Sequence, residues 1–153
     1  MTDVRTLTLN ASSRNPLDFN IKTLSKDLFD KTAEAWAKEI AYKKEGNIFK
    51  TDPKGRLMNS KNMPTQLRRF YDELVMWNER AAQPNTDFKD IEPFVHMMKS
   101  KVAYAKGRDN VDATFQNFIN TLIGQIDDQK TLNNAKLFME AMMGFYKQFR
   151  PTK

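Results

Sequence analysis

Five stretches of the chain repeat apolar residues at the i, i+3, i+4, i+7 spacing of a helix with one buried face. The first runs from about Ser25 to Lys44, with Leu28, Phe29, Ala33, Trp36 and Ile40 as its stripe and Gly46 just past its end. The second starts near Pro64, a residue favoured at the first helical position, and shows Leu67, Phe70, Tyr71, Leu74, Trp77 and Ala81 before Gln83-Pro84-Asn85 ends it. The third, Ile91 to Gly107, carries Ile91, Phe94, Val95, Met98, Val102 and Ala105, with Pro93 in its first turn. The fourth follows Asp109-Asn110 and carries Val111, Phe115, Phe118, Ile119, Leu122 and Ile126. The fifth follows Thr131 and carries Leu132, Ala135, Phe138, Met139, Met142, Phe145, Tyr146 and Phe149, stopping before Pro151.

No convincing period-two run stands outside Arg5–Leu9, so no sheet is expected. Asn47–Met63 is polar and reads as a basic loop. Stripes this wide must be buried, and the short links between the last three helices make those helices antiparallel neighbours. The expected fold is all-α: a single compact bundle of about five helices over residues 25–150, preceded by an N-terminal extension, 1–24. Leu17, Phe19, Ile21 and Leu24 give that extension the means to start a short helix or to lie across the bundle.

With 153 residues the chain makes one domain with a real core. Cysteine is absent, which removes disulfides, thiolate metal sites and cysteine nucleophiles. No apolar run approaches the roughly 20 residues of a membrane helix. The opening Met1–Pro16 lacks a secretory apolar core, so a cytoplasmic home without membrane contact is expected.

The charge is +6, and its distribution is uneven. Pro53–Tyr71 holds Lys54, Arg56, Lys61, Arg68 and Arg69 with no acid. Pro93–Arg108 holds Lys99, Lys101, Lys106 and Arg108 with no acid, and Gln129–Lys153 sets five basic residues against Glu140 alone. Base clustered this way fits an anionic polymer or surface as partner. Taken singly, each basic residue also reads as solvated. Lys99, Lys101, Lys106 and Arg108 flank the third stripe, where stems cover the core and charges stay in water. Arg68 and Arg69 stand four residues before Asp72 and Glu73, as surface pairs would.

Catalytic chemistry is not legible. His96, the one histidine, projects about 160° from Met98 on a helical wheel and reads as an exposed or interface residue without an acidic partner. Asp127-Asp128 reads as a helix end before a turn. Asp87 and Asp90 read as caps, and the glycines stand singly rather than as a phosphate loop. The paired methionines Met142-Met143 match the buried stripe and read as core. No enzyme, cofactor or metal is expected.

Three segments carry a resemblance. Pro64-Thr65-Gln66-Leu67-Arg68-Arg69-Phe70-Tyr71 resembles the Thr-x-Leu-Arg helix start of the second Csm subunit, the small, all-helical subunit of type III-A CRISPR–Cas effector complexes. Met98–Arg108 resembles that family's hydrophobic-Tyr-x-x-Gly-Arg signature, and Leu137–Lys147 its closing Met-Glu-Ala-x-x-x-Tyr-x-Lys helix. The match runs over roughly Pro64–Phe149.

The resemblance implies a non-catalytic subunit of prokaryotic antiviral defence. Its copies stack on one another beside the backbone and large subunits, and line the groove that holds guide RNA paired with target RNA. RNA cutting and cyclic-oligonucleotide synthesis belong to other subunits. The family's basic helix-edge residues map to Arg68, Lys101 and Arg108, with Arg69 and Lys106 beside them. Lys54, Arg56 and Lys61 lie where the family does not align. Met63-Pro64 departs from the hydroxyl residues expected before Thr65, and Pro64 offers no N–H to a phosphate. A reading from another class, a helical protein–protein adaptor with a basic surface, fits the same composition. Binding of single-stranded RNA at low salt separates the two.

Overall fold

The structure, a computed structural model, describes residues 15–45, 48–50 and 60–150. Its α-helices are α1 (Ala33–Ala41), α2 (Pro64–Ala81), α3 (Phe88–His96), α4 (Met98–Gly107), α5 (Ala113–Gly124) and α6 (Gln129–Phe149). A π-helical turn, Leu28–Thr32, leads directly into α1. Between α1 and α2 a small hairpin pairs β1 (Lys43–Glu45) antiparallel with β2 (Ile48–Lys50), in the register Lys43 to Lys50 and Glu45 to Ile48. All five expected stretches are helical, and the all-α bundle stands.

Three local readings change. The first helix stops at Ala41, and the segment expected to end a helix and begin a loop is the hairpin. Gly46-Asn47, between its strands in sequence, is a residue pair that favours two-residue hairpin connections as readily as Gly46 alone suits a helix stop. The third helix begins earlier, at Phe88 capped by Asp87, which places Pro93 inside α3. The chain then breaks at Met97 and continues as α4. Two helix starts also move. Asp112 caps α5 by accepting from Phe115 N. Asp128 caps α6, with Thr131 bonding back from the third position in a reciprocal box. Asp127-Asp128 therefore opens a helix rather than closing one.

The core is the union of the stripes. Every residue in the fourth stripe is buried, as are Leu67, Phe70 and Leu74 of α2 and Phe138, Met139 and Met142 of α6. Phe94 is the exception in the third stripe, 49% exposed and stacked on Trp77 with centroids 5.6 Å apart. Helix α6 packs along α1 and α2, while α4 packs on α5. The fourth and fifth stripes still meet at Phe118 and Phe138, 5.7 Å between rings.

Residues 17–21 lie across the bundle. Phe19 sits 4.6 Å from Phe138 and 6.2 Å from Trp36. The backbone is held at three points: Trp36 Nε1 donates to Leu17 O (2.7 Å), Gln125 Nε2 to Phe19 O (3.0 Å) and Asn134 Nδ2 to Ile21 O (2.8 Å). Ile21 N returns a bond to Gln125 Oε1. These partners satisfy backbone groups of a segment that belongs to no helix or strand.

Ahead of α2 stands Asn62, fully buried with φ at 57°. Asparagine tolerates that left-handed backbone better than most residues. Its amide nitrogen reaches Ile40 O (3.0 Å) and Asp112 Oδ1 (2.9 Å), and its carbonyl accepts from Asp112 N (3.0 Å). Its backbone donates to Asn110 O and accepts from the Tyr146 hydroxyl. One residue thus joins the ends of α1 and α4, the start of α5 and the last turns of α6.

Candidate functional site

Two grooves run beside α2. The larger, about 930 Å³, lies between α2 and α4. Lys101 opposes Glu73 at one end, and Asn110 O meets Asn62 N near the start of α2 at the other, so the two helices run antiparallel. The smaller groove, about 640 Å³, lies between the start of α2 and the end of α6.

The basic residues divide between them. Arg69, Lys101 and Arg108 line the α2–α4 groove. Arg68 lines the α2–α6 groove with Lys147 and Arg150. The sequence grouped Arg68 with Lys101 and Arg108. One residue of helical rotation, about 100°, is enough to send Arg68 and Arg69 to different sides of α2.

Existing partners set how available each charge is. Arg68 Nε pairs with Asp72 Oδ1 at 3.2 Å, and its guanidinium lies over the Tyr71 ring. The expected Arg69–Glu73 pair does not form. Glu73 is taken by Lys101 (2.8 Å) and by Trp77 Nε1 (3.1 Å). Arg69 therefore has no acidic partner among the described residues, and it is exposed. Arg108 stacks on Tyr104 at 5.7 Å and donates to its hydroxyl at 3.3 Å. The spacing is i, i+4, so the Tyr-x-x-Gly-Arg pattern puts ring and guanidinium on one helix face. Lys61 lies 3.3 Å from Asp109. Lys106 is half-buried on α4. Lys54 and Arg56 lie outside the described residues. Lys99 reaches over Gly124 at the C-terminal end of α5, where the helix dipole favours a cation.

The titratable groups elsewhere are structural. His96 Nε2 lies 2.9 Å from Ile126 O, an arrangement in which Nε2 carries the proton. Glu92 Oε2 stands 4.0 Å away, one turn earlier, so the acidic partner thought missing is present at i−4. The ring is half-buried and ties α3 to the end of α5. The Asp128 carboxyl is held below the usual carboxylate range, first by the backbone N–H of Thr131 and then by its hydroxyl. Burial pushes the Tyr146 phenol up to about 12. Tyr71 is raised as well, by burial and then by its hydrogen bond to Glu140. No group of three or more metal-binding side chains occurs among the described residues, and no helix there is long and apolar enough to cross a membrane.

Residues 24–152 match the sequence model of the Csm2 Type III-A family. The chain belongs to that family. Csm2 Type III-A proteins are the small subunit of the type III-A CRISPR effector, a structural subunit rather than a known enzyme, and work within a Csm complex alongside its other subunits. The match extends the three-motif resemblance upstream to the π-turn, α1 and the hairpin. No curated protein and no solved structure matches the chain.

Proposed function

We propose that this Csm2 subunit lines the groove holding guide RNA and target RNA in a cytoplasmic antiviral complex, and meets the RNA through the basic edges of α2 and α4. The observation that carries the reading is the convergence of Arg69, Lys101 and Arg108 on one groove, drawn from two helices and two motifs. Arg69 and Arg108 are the strongest phosphate ligands of the set, because no carboxylate competes for either among the described residues. Lys101 must share its charge with Glu73. Arg68, Lys147 and Arg150 form a second basic strip on the other side of α2, and Lys61, Lys106 and the Lys54–Arg56 segment extend the basic surface.

Sequence choice in this arrangement comes from guide–target pairing, and the subunit contributes phosphate and 2′-hydroxyl contacts. Phe94 and Met97, 49% and 45% exposed, supply the apolar surface that contact with neighbouring subunits or other copies requires. The same surface is what a helical adaptor without an RNA role would use. A salt titration of RNA affinity decides between them. Each phosphate contact on a single strand adds about 0.7 to the log–log slope, so Arg69→Ala/Arg108→Ala flattens it by roughly 1.4. Unchanged affinity and slope in a folded variant would overturn the RNA reading.

A further inference from the structure

The α2–α4 groove holds more than cations. The Glu73 carboxylate faces Lys101 from α2 and already accepts from Lys101 and Trp77 Nε1, so it repels a phosphate and leaves Lys101 largely neutralised. Phosphates are better held by Arg69 and Arg108.

Tyr104 stands in the same groove and is 67% exposed, more than any other large apolar or aromatic side chain among the described residues. The Arg108 guanidinium lies over its ring, and this much exposure leaves ring surface open to the groove. A flat ring in water, next to a guanidinium and lining a basic groove, is a platform for another flat ring.

The geometry points to an unpaired RNA base seated in the α2–α4 groove and stacked on Tyr104, while the adjoining phosphates meet Arg69 and Arg108. Base stacking on aromatic side chains is indifferent to base identity, and the groove is open along its length, so the site needs no particular sequence. A base still stacked in the duplex has its faces covered and does not fit. The inference rests on the RNA-binding reading and narrows it, from duplex backbone to an unpaired nucleotide.

The test measures affinity by fluorescence anisotropy across a salt titration for three RNAs: a single strand, the same strand fully paired, and the same strand with abasic residues. Tyr104→Ala should weaken the single strand by on the order of tenfold, leave the duplex and abasic strands as in wild type, and leave the salt slope unchanged. Tyr104→Phe, which keeps the ring, should bind as wild type does. Arg69→Ala should weaken all three RNAs and reduce the slope. If Tyr104→Ala binds the single strand normally while Arg69→Ala does not, the base site is wrong and the RNA-groove reading stands. Equal loss on single strand and duplex also overturns the base site. If wild-type protein binds none of the three, both readings fall. Tyr104→Ala that binds RNA normally but loses self-association in sedimentation would show the ring to be a protein contact and overturn the inference.

Discussion

Asn62 and Asp112 grip each other in both directions: the Asn62 amide donates to the Asp112 carboxylate at 2.9 Å, and the Asp112 backbone donates to the Asn62 carbonyl at 3.0 Å. Fifty positions separate them in sequence. Asp112 also caps α5, so its carboxylate serves a helix end and a tertiary contact together.

Asn62→Ala should destabilise the domain strongly. It removes the donor to Ile40 O, leaves Asp112 half-partnered and puts a Cβ-bearing residue without a side-chain bond at positive φ. Unmet buried polar groups cost about 1–3 kcal/mol each, and the backbone strain adds to that. A loss of about 3 kcal/mol in urea unfolding is expected. Asn62→Gly, which relieves the backbone only, should recover less than half of it.

Acid stability should report the α6 cap. The Asp128 carboxyl has a folded-state pKa below its ordinary value, so its stabilisation is present above the unfolded pKa and disappears as pH falls through the lowered one. Asp128→Ala should cost about 1 kcal/mol near neutrality and less in acid. Asp128→Asn keeps an acceptor at the cap, so it should be milder and should lose the pH dependence. Unfolding curves at matched pH values check both.

Alkali should loosen the domain through Tyr146. Its folded pKa is raised to about 12 from an ordinary 10.0, so the stabilisation is complete below the ordinary value and is lost as pH rises through the folded one. In an ultraviolet titration the Tyr146→Phe difference spectrum should show one phenol ionising late. That variant also leaves the Asn62 backbone carbonyl without the Tyr146 donor, at a cost of about 1–2 kcal/mol near neutrality.

Glu73→Gln should raise RNA affinity. Glutamine can keep the Trp77 bond while removing the charge that neutralises Lys101. If Lys101 then engages a phosphate, the salt slope should steepen by about 0.7. Lys101→Ala in the same background should abolish the gain. Affinity unchanged by Glu73→Gln would remove Lys101 from the set of RNA ligands.

The apolar stripes were legible because burial follows helical period, and they located nearly the whole core. Long-range polar contacts were not. Nothing adjacent to Asn62 marks it as a buried hub, since its partners come from Ile40, Asp112 and Tyr146. Gln125 and Asn134 likewise read as ordinary helix polar residues until residues 17–21 are laid against them. The break at Met97 has no glycine or proline at the break itself, and both flanking segments keep the same apolar spacing. At the candidate site, the basic windows and the Tyr104–Arg108 spacing could be read directly. Which groove each charge enters, and that Glu73 chooses Lys101 over Arg69, depends on how α2 and α4 sit side by side.

The strap of residues 17–21 bears on synthesis. Its anchors at Gln125 and Asn134 leave the ribosome more than a hundred residues after Ile21 does. Until then Phe19 and Trp36 have neither Phe118 nor Phe138 to pack against. The early nascent chain therefore carries an exposed aromatic surface for most of its translation, and the domain closes late, in a step that joins the first elements made to the last. Contacts of such long sequence separation slow closure and prolong the aggregation-prone interval. Loss of the strap should thus appear in cells as poor soluble yield out of proportion to the three hydrogen-bond anchors removed.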